Sequence, residues 1–291
     1  MDGKVVLVTG ANSGIGKEAA IELARRGATV LITARSELRG GQALSEVRRR
    51  SRASDDRVQL VALDLARFSS IRACAATVLE RWDRLDVLAC NAGAMLSDRR
   101  VTEEGFEMTF GANHLGHFLL TQLLIDRVTE GEPGRVVVTS SFAHRLAGGL
   151  PFADLQHERS YTGVAAYNES KLANVLFTME LARRLEGTGV TANCLHPGPV
   201  RTSFASAEDT TGGERLMFAL ARPFMVTAHR GAQPIIELSS SPKYDGVTGG
   251  YFVAGYAARC ARRTPAAPGR DPAAARKLWE ISEELVATAS A

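Results

Sequence analysis

The strongest constraint on the fold is a short apolar run that leads directly into a glycine-rich turn. The run Val5–Val8 is entirely β-branched or aliphatic, which is typical of a strand buried on both faces of a parallel sheet. Residues 9–16 follow as a turn with three glycines, and a helical pattern then covers residues 17–26. A helix N-terminus that opens from a glycine turn is an anion site that a ligand can approach closely. The order strand, turn, helix therefore predicts that a dinucleotide binds here.

The alternation of strand and helix continues along the chain. Right-handed crossovers between such units give a parallel sheet with helices on both faces. We predict a single-domain α/β chain over residues 1–291, with a doubly wound (Rossmann) sheet of about seven strands. A looser apolar segment at residues 203–227, with Met217 and Phe218, is predicted to be a substrate lid, and residues 256–291 form a C-terminal tail and helix. The predicted strands are residues 5–8, 29–34, 58–63, 85–90, 135–141, 190–195 and 249–253.

Composition narrows the class of protein. The 291 residues are 45% hydrophobic and 6% aromatic, as expected for a globular protein with a sizeable core. The net charge of +3 is too small to indicate a nucleic-acid surface. We see neither a secretion signal nor a membrane span. The four cysteines have no metal-binding or disulfide spacing, which favours a reducing cytoplasm, and they are Cys74, Cys90, Cys194 and Cys260.

The end of the second predicted strand indicates which dinucleotide binds. Arg35 stands roughly 20 residues after the glycine turn, where an NAD site would place a carboxylate for the ribose hydroxyls. A guanidinium in that position suits a 2′-phosphate, and Lys17 could assist it. Arg35 could also be an ordinary surface arginine. We predict a preference for NADP(H) over NAD(H).

Other polar residues follow predicted strands or interrupt apolar helices. Ligands of open α/β sheets bind at the carboxyl ends of the strands. Asn113 lies within an apolar helix predicted over residues 110–124, where an asparagine competes with backbone hydrogen bonds and needs a reason to be present. His114 and His117 on the same helix could be a metal pair, but no third ligand has matching spacing, so we expect packing and no metal. The candidate ligand contacts after strands are Asp64, Leu65, Asn91, Ala92, Gly93, Pro197, Gly198, Val200 and Thr202.

Tyr167 and Lys171 are the candidate acid/base pair. Residues four apart share one helix face, and an adjacent cation favours the phenolate, so we expect Lys171 to lower the pKa of Tyr167. Tyr167 would then serve as a general acid/base near neutral pH. An isolated match of this kind is more often an ordinary amphipathic pair. Ser140 and Ser141 place two hydroxyls at the end of the preceding predicted strand.

These motifs together resemble the short-chain dehydrogenase/reductase family over nearly the whole chain. The stretches at residues 113–120 and 170–174 are similar to the branch of retinol dehydrogenases and WW-domain oxidoreductases, and protochlorophyllide reductases share parts of them. The resemblance implies reversible hydride transfer between a nicotinamide and a carbonyl or alcohol. A lipophilic small-molecule substrate is expected, and the sequence leaves open which aldehyde, polyketide ketone or steroid it is and whether the chain forms a homo-oligomer.

The resemblance also implies roles for particular residues. Tyr167 donates the proton, Lys171 lowers the pKa of Tyr167 and binds the nicotinamide ribose, and Ser141, rather than Ser140, orients the substrate oxygen. Asn113 holds a water of the proton relay. The alternatives are an NADP(H)-binding regulator and a non-redox lyase or epimerase. The implied cofactor contacts are Gly10, Asn12, Ser13, Gly14, Ile15, Gly16, Arg35, Asp64, Leu65, Asn91, Ala92, Gly93, Tyr167, Lys171, Pro197, Gly198, Val200 and Thr202.

Overall fold

A computed structural model describes residues 1–130, 133–200, 225–254 and 260–289. Thr202 and most of the predicted lid, including Met217 and Phe218, lie outside the described residues. That the chain is a single domain stays a prediction.

The strands of the described residues form one eight-stranded sheet in the order β3-β2-β1-β4-β5-β6-β7-β8. Neighbours from β3 to β7 are parallel, and β7 pairs with β8 in the antiparallel direction. The predicted doubly wound parallel sheet is thus confirmed, with one strand more than expected. The strands are β1 Val5–Val8, β2 Thr29–Ala34, β3 Val58–Ala62, β4 Val87–Cys90, β5 Arg135–Thr139, β6 Thr191–His196, β7 Tyr251–Val253 and β8 Ala261–Arg263.

Helices cover both faces of the sheet and bury two separate apolar cores. One core lies under α1, α2 and α7, and the other lies under α3, α5, α6 and α8. In the second core Trp279 stacks on Phe177 and meets Phe118 edge to face. The helices are α1 Gly14–Arg25, α2 Glu37–Ser51, α3 Phe68–Arg81, α4 Met108–Phe110, α5 Gly116–Thr129, α6 Gly163–Arg184, α7 Ala228–Ser240 and α8 Pro272–Thr288.

A π-helical turn, Gly111–Leu115, joins α4 to α5. We expected a regular helix over residues 110–124, so the turn is a local departure from that prediction. It holds Asn113, which is fully buried. Turns of this kind occur often at functional sites, because they change the direction of one side chain without ending the helix.

The sheet order places the carboxyl ends of β1 and β4 side by side. The chain leaves these two strands in opposite directions across the sheet, so a crevice opens at this edge, where ligands of open α/β sheets bind. Within the described residues, no helix combines the length and apolar character needed to cross a membrane.

Candidate active site

The glycine turn after β1 packs tightly against the turn after β4. Gly10 has a φ of +64°, and a Cβ on it would lie 2.8 Å from Cβ of Ala92. Gly14 also has a positive φ, of +58°. A Cβ on Gly16 would overlap the side-chain nitrogen of Asn91. Glycine is therefore required at Gly10 and Gly16 by close contact between the two turns, as well as by backbone conformation at Gly10.

Thr9 joins these two turns with hydrogen bonds. Its Oγ1 accepts from the backbone N–H groups of Asn91 at 2.8 Å and Ala92 at 3.0 Å, and its carbonyl accepts from Asn91 Nδ2 at 2.8 Å. Thr9 Oγ1 also lies 2.9 Å from His117 Nε2, and His117 Nδ1 lies 3.0 Å from the carbonyl oxygen of Asn113. A proton on Nδ1 satisfies the carbonyl, so Nε2 is left to accept from the Thr9 hydroxyl. The network fixes both turns at the crevice.

The N-terminus of α1 suits a pyrophosphate. The side chain of its N-cap residue, Ser13, makes no capping hydrogen bond, and no acidic residue lies in the first turn. The first N–H groups of the helix therefore point out with no intrahelical acceptor and with the positive end of the helix dipole behind them. Among the described residues, the buried oxygen Asn91 Oδ1 also lacks a hydrogen-bond partner. The residues present fit a dinucleotide.

Residues after β2 and β3 lie at the same edge of the sheet as this turn. Arg35 is exposed immediately after β2, and within the described part of the chain its guanidinium makes no ion pair. Lys17, expected to assist it, instead bonds Glu46 at 2.6 Å. Asp64 Oδ1 accepts from the backbone N–H of Ala66 at 3.1 Å, and Leu65 is buried. Of the two cations that the sequence singled out, Lys17 is paired with Glu46, whereas no ion pair of Arg35 is seen within the described residues.

The segment after β6 returns to the glycine turn. Gly198 has a φ of +84°, and Pro197 precedes it at the same edge of the sheet. A Cβ on Gly231 of α7 would meet Val200 at 2.5 Å and Ile15 at 3.0 Å, so these two side chains lie over the same point of α7. Val200 is therefore close to the predicted cofactor turn.

Asn113 ties the loop after β4 to α6. Its Oδ1 accepts from Ala94 N at 2.7 Å, and its Nδ2 donates to Ala94 O at 2.9 Å and to Ser170 Oγ at 3.0 Å. Both amide N–H groups are used, so a water held by this side chain would bond to the remaining lone pair of Oδ1. Gly93, in the same loop, lies against Lys171, since a Cβ on Gly93 would lie 3.0 Å from Lys171 Nζ.

Ser141, Tyr167 and Lys171 meet at the carboxyl end of β5. Tyr167 and Ser141 share a side-chain hydrogen bond. Lys171 Nζ lies 5.6 Å from the centre of the Tyr167 ring and donates to Thr139 O at 3.3 Å. Lys171 is 2% exposed, and burial lowers its pKa to about 8. The structure thus brings together the phenol, the hydroxyl and the ammonium that the sequence singled out.

The expected lowering of the Tyr167 pKa is wrong. Burial raises the pKa of Tyr167 to about 12, and the hydrogen bond with Ser141 opposes the rise only in part. The cause is desolvation: removing the phenolate from water costs more free energy than the neighbouring groups restore by stabilising it. Tyr167 is therefore a protonated phenol at neutral pH, which suits a proton donor.

The two adjacent serines have different partners. Ser140 is buried, and its hydroxyl donates to the Lys171 carbonyl at 2.7 Å. Ser141 accepts from Ala143 N at 3.2 Å and bonds Tyr167. Only Ser141 of this pair thus presents its hydroxyl to the phenol.

The histidine pair on the apolar helix serves packing and hydrogen bonding. His114 lies among Phe110, Phe118 and Phe177 and bonds Ser282 Oγ at 2.8 Å. Burial lowers the pKa of His114 to about 3, so the ring is neutral. In the parts of the chain that the structure describes, no group of three or more His, Cys, Asp or Glu side chains could hold a metal ion.

Sequence reasoning missed two histidines next to Ser141. His144 Nδ1 lies 2.6 Å from the Ser141 carbonyl, and His196 Nδ1 accepts from the backbone N–H of Phe142 at 3.1 Å. His144 follows Ser141 by three residues, which is a weak signal, whereas His196 comes from another strand and had none.

The family model for short chain dehydrogenases matches residues 4–212. Retinol dehydrogenase 14 of Homo sapiens is 43% identical, over 98% of this chain and 87% of its own length.

Two solved structures extend the likeness to the fold. An uncharacterized protein from Mycobacterium paratuberculosis is 35% identical with a TM-score of 0.78, covering 98% of this chain and 94% of its own. A short chain dehydrogenase from Shigella flexneri, complexed with NADP, is 26% identical with a TM-score of 0.67, covering 87% of this chain and 98% of its own.

Proposed function

This chain belongs to the short chain dehydrogenase family, and we propose that it reduces lipophilic aldehydes or ketones with NADPH. The family and the similarity to retinol dehydrogenases confirm the resemblance stated from the motifs, and with it an NAD(P)-dependent enzyme acting on CH–OH or C=O groups. The direction, the preferred nicotinamide and the substrate class are the proposed part.

The observation that carries the proposal is the hydrogen bond between Ser141 and Tyr167 beside a buried Lys171. A carbonyl oxygen that binds between the two hydroxyls accepts from both of them. Tyr167 transfers its proton to that oxygen, and Ser141 holds the oxygen in place. Bound NADPH supplies the hydride for the carbonyl carbon. Burial raises the pKa of Tyr167 to about 12, so the phenol carries the proton that reduction of a carbonyl requires.

The preference for NADPH rests on Arg35. Its exposed guanidinium at the end of β2 offers planar donors to a 2′-phosphate, and charge-assisted bidentate pairs are the strong kind. The Shigella flexneri relative was solved with NADP. The first turn of α1, with no acidic residue, then receives the pyrophosphate.

The lipophilic substrate is inferred from the surface beside Ser141 and at the start of α6. Phe142 is 53% exposed and Val164 is 47% exposed, although both are large apolar residues. The name of the human relative points to retinol, a lipophilic alcohol, as a starting probe. A cytoplasmic location is part of the proposal, supported by four buried, unpaired cysteines.

The decisive experiment follows NADPH absorbance in the presence of all-trans-retinal, decanal and a steroid ketone, with product analysis. The proposal expects loss of NADPH matched by alcohol product, and a lower rate with NADH. A regulator would bind NADPH, seen by fluorescence, and oxidise none of it. A lyase or epimerase would form product without consuming NADPH.

A further inference from the structure

His144 makes two hydrogen bonds that leave it no choice of tautomer. The ring is fully buried, and Tyr251 contacts it edge to face. Its Nδ1 lies 2.6 Å from the Ser141 carbonyl oxygen, and its Nε2 accepts from the backbone N–H of Ala266 at 3.2 Å. A carbonyl can only accept and an N–H can only donate, so Nδ1 carries the proton and Nε2 the lone pair.

The backbone on the other side of Ser141 is held by a second ring. The N–H of Phe142 donates to His196 Nδ1 at 3.1 Å. The peptide group between Ser141 and Phe142 therefore has its carbonyl fixed by His144 and its N–H fixed by His196. The ring of His144 extends the connection to the C-terminal part of the chain, through Ala266.

A neighbouring contact supports the same connection. Arg145 donates to the carbonyl oxygen of Thr264 at 2.6 Å. The short helical turn Phe142–Arg145, which follows Ser141 directly, is thus tied at two points to the segment between β8 and α8. The hydroxyl that faces Tyr167 is positioned by residues more than 100 positions later in the sequence.

We propose that His144 is a positioning residue, which holds the Ser141 backbone so that the Ser141 hydroxyl bonds Tyr167, and which couples this serine to the C-terminal segment through Ala266. The inference rests on the proposed function, because the role of the Ser141–Tyr167 pair in reduction belongs to that proposal. Both ring nitrogens of His144 bond backbone groups, so the proposed action on the Ser141 hydroxyl is indirect.

Three substitutions separate the two contacts of the ring. His144→Asn keeps an amide N–H near the position of Nδ1, so the donor to Ser141 can persist while the acceptor for Ala266 is lost. The longer side chain of His144→Gln reaches the position of Nε2, so the acceptor for Ala266 can persist while the donor to Ser141 is lost. His144→Leu removes both. We expect His144→Leu to lower kcat for all-trans-retinal by about 10- to 100-fold, the scale of a small displacement of a reacting group.

The pattern among the variants is the sharper readout. His144→Asn should recover most of the lost kcat and His144→Gln little of it, with NADPH affinity by fluorescence unchanged in all three. In a Ser141→Ala background, His144→Leu should cost nothing further, because it acts through the hydroxyl that is already gone. If the two losses multiply, or if Gln restores kcat better than Asn, the inference is overturned. Should the Leu variant fail to fold, the comparison of Asn with Gln carries the test.

A structural readout separates this inference from the proposed function. In crystals, the hydrogen bond between Ser141 Oγ and the Tyr167 hydroxyl should be lost in His144→Gln and retained in His144→Asn. If the wild type oxidises no NADPH with any carbonyl, the proposed function fails, yet the crystals still decide the positioning role. If Ser141 keeps its place in both variants, the positioning role fails whatever the wild-type activity.

Discussion

Ser140 Oγ donates a hydrogen bond to the carbonyl oxygen of Lys171 at 2.7 Å, so the hydroxyls of the two consecutive serines after β5 have different partners. Ser140 stabilises the helix that carries Lys171, whereas Ser141 faces Tyr167. Ser141→Ala should lower kcat for carbonyl reduction by about 10²-fold, the scale of losing one donor to a developing oxyanion.

Ser140→Ala is the matched control. It should leave kcat near the wild-type value and cost about 0.5–1.5 kcal/mol of unfolding free energy, the net value of one hydrogen bond. Urea denaturation and steady-state kinetics on both variants check this. The opposite ranking, with kcat lost in Ser140→Ala, would mean that the wrong serine has been placed in the reaction.

Tyr167→Phe removes the ionisable oxygen and little else. We expect kcat to fall by about 10²-fold or more, since a general acid contributes on that scale. NADPH affinity, measured by fluorescence titration, should hardly change. A Phe variant that reduces all-trans-retinal at the wild-type rate would remove Tyr167 from the mechanism.

Gly10→Ala should abolish tight NADPH binding. The new Cβ would lie 2.8 Å from Cβ of Ala92, at a φ of +64° that alanine rarely adopts. Gly41→Ala in α2 is the control, because a Cβ there meets nothing within 4 Å. It should raise the free energy of unfolding by roughly 0.5–1 kcal/mol and leave NADPH binding unchanged. Calorimetric titration measures the NADPH affinity of both variants. Equal affinities would contradict the role of Gly10.

Arg35→Ala should lower the ratio of kcat/KM with NADPH to that with NADH by roughly 10- to 150-fold, equivalent to about 1.5–3 kcal/mol for a charge-assisted pair. Arg35→Asp should lower it further, because repulsion is added to the loss. Arg49→Asp, at another exposed arginine of the neighbouring helix, should leave the ratio unchanged. A wild type that prefers NADH would refute the cofactor proposal.

Stability should fall in mild acid because of the buried histidines. Burial holds the pKa of His114 at about 3, below the usual 6.5. Between these two values the ring is protonated in the unfolded chain and neutral in the folded chain. The stability is present above pH 6.5 and is lost as the pH falls toward 3. By linkage, His114 alone costs about 2 kcal/mol between pH 7 and pH 5. Between pH 7 and pH 5, the free energy of unfolding of His114→Gln, measured by urea denaturation, should fall by about 2 kcal/mol less than that of the wild type. Equal falls in the variant and the wild type would contradict the explanation.

The fold was largely readable from the sequence, because local pattern and tertiary environment agree in the parallel strands. The bounds of β1 and β2 match the predicted ones, since each is a continuous apolar run ended by a turn. β8 was missed because Ala261–Arg263 carries no apolar pattern, and its pairing depends on the edge that β7 offers. The π-helical turn was missed because residues 110–124 form one apolar pattern, and the hydrogen bonds of Asn113 with Ala94 join residues that are distant in sequence.

The residues of the candidate site were named from spacing and resemblance, whereas their electrostatics depend on the tertiary structure. Tyr167 and Lys171 are recognisable by their spacing, whereas the pKa of Tyr167 depends on how deeply the phenol is buried, which spacing does not report. Lys17 was named as a possible helper of Arg35 at the 2′-phosphate, but its ammonium forms an ion pair with Glu46 of α2. His196 could not be connected to Ser141 without the pairing of β5 with β6.

The π-helical turn Gly111–Leu115 has a consequence for how this site tolerates changes in chain length. Its backbone bonds span one residue more than those of α4 and α5 on either side, so it acts as a one-residue insertion absorbed within a continuous helix. Deleting one residue here would let the helix continue in regular register. The rotation of roughly 100° that one residue makes in an α-helix would then turn Asn113 away from Ala94 and Ser170 while the helix survived. A length polymorphism of one residue could thus disconnect the loop after β4 without unfolding the protein.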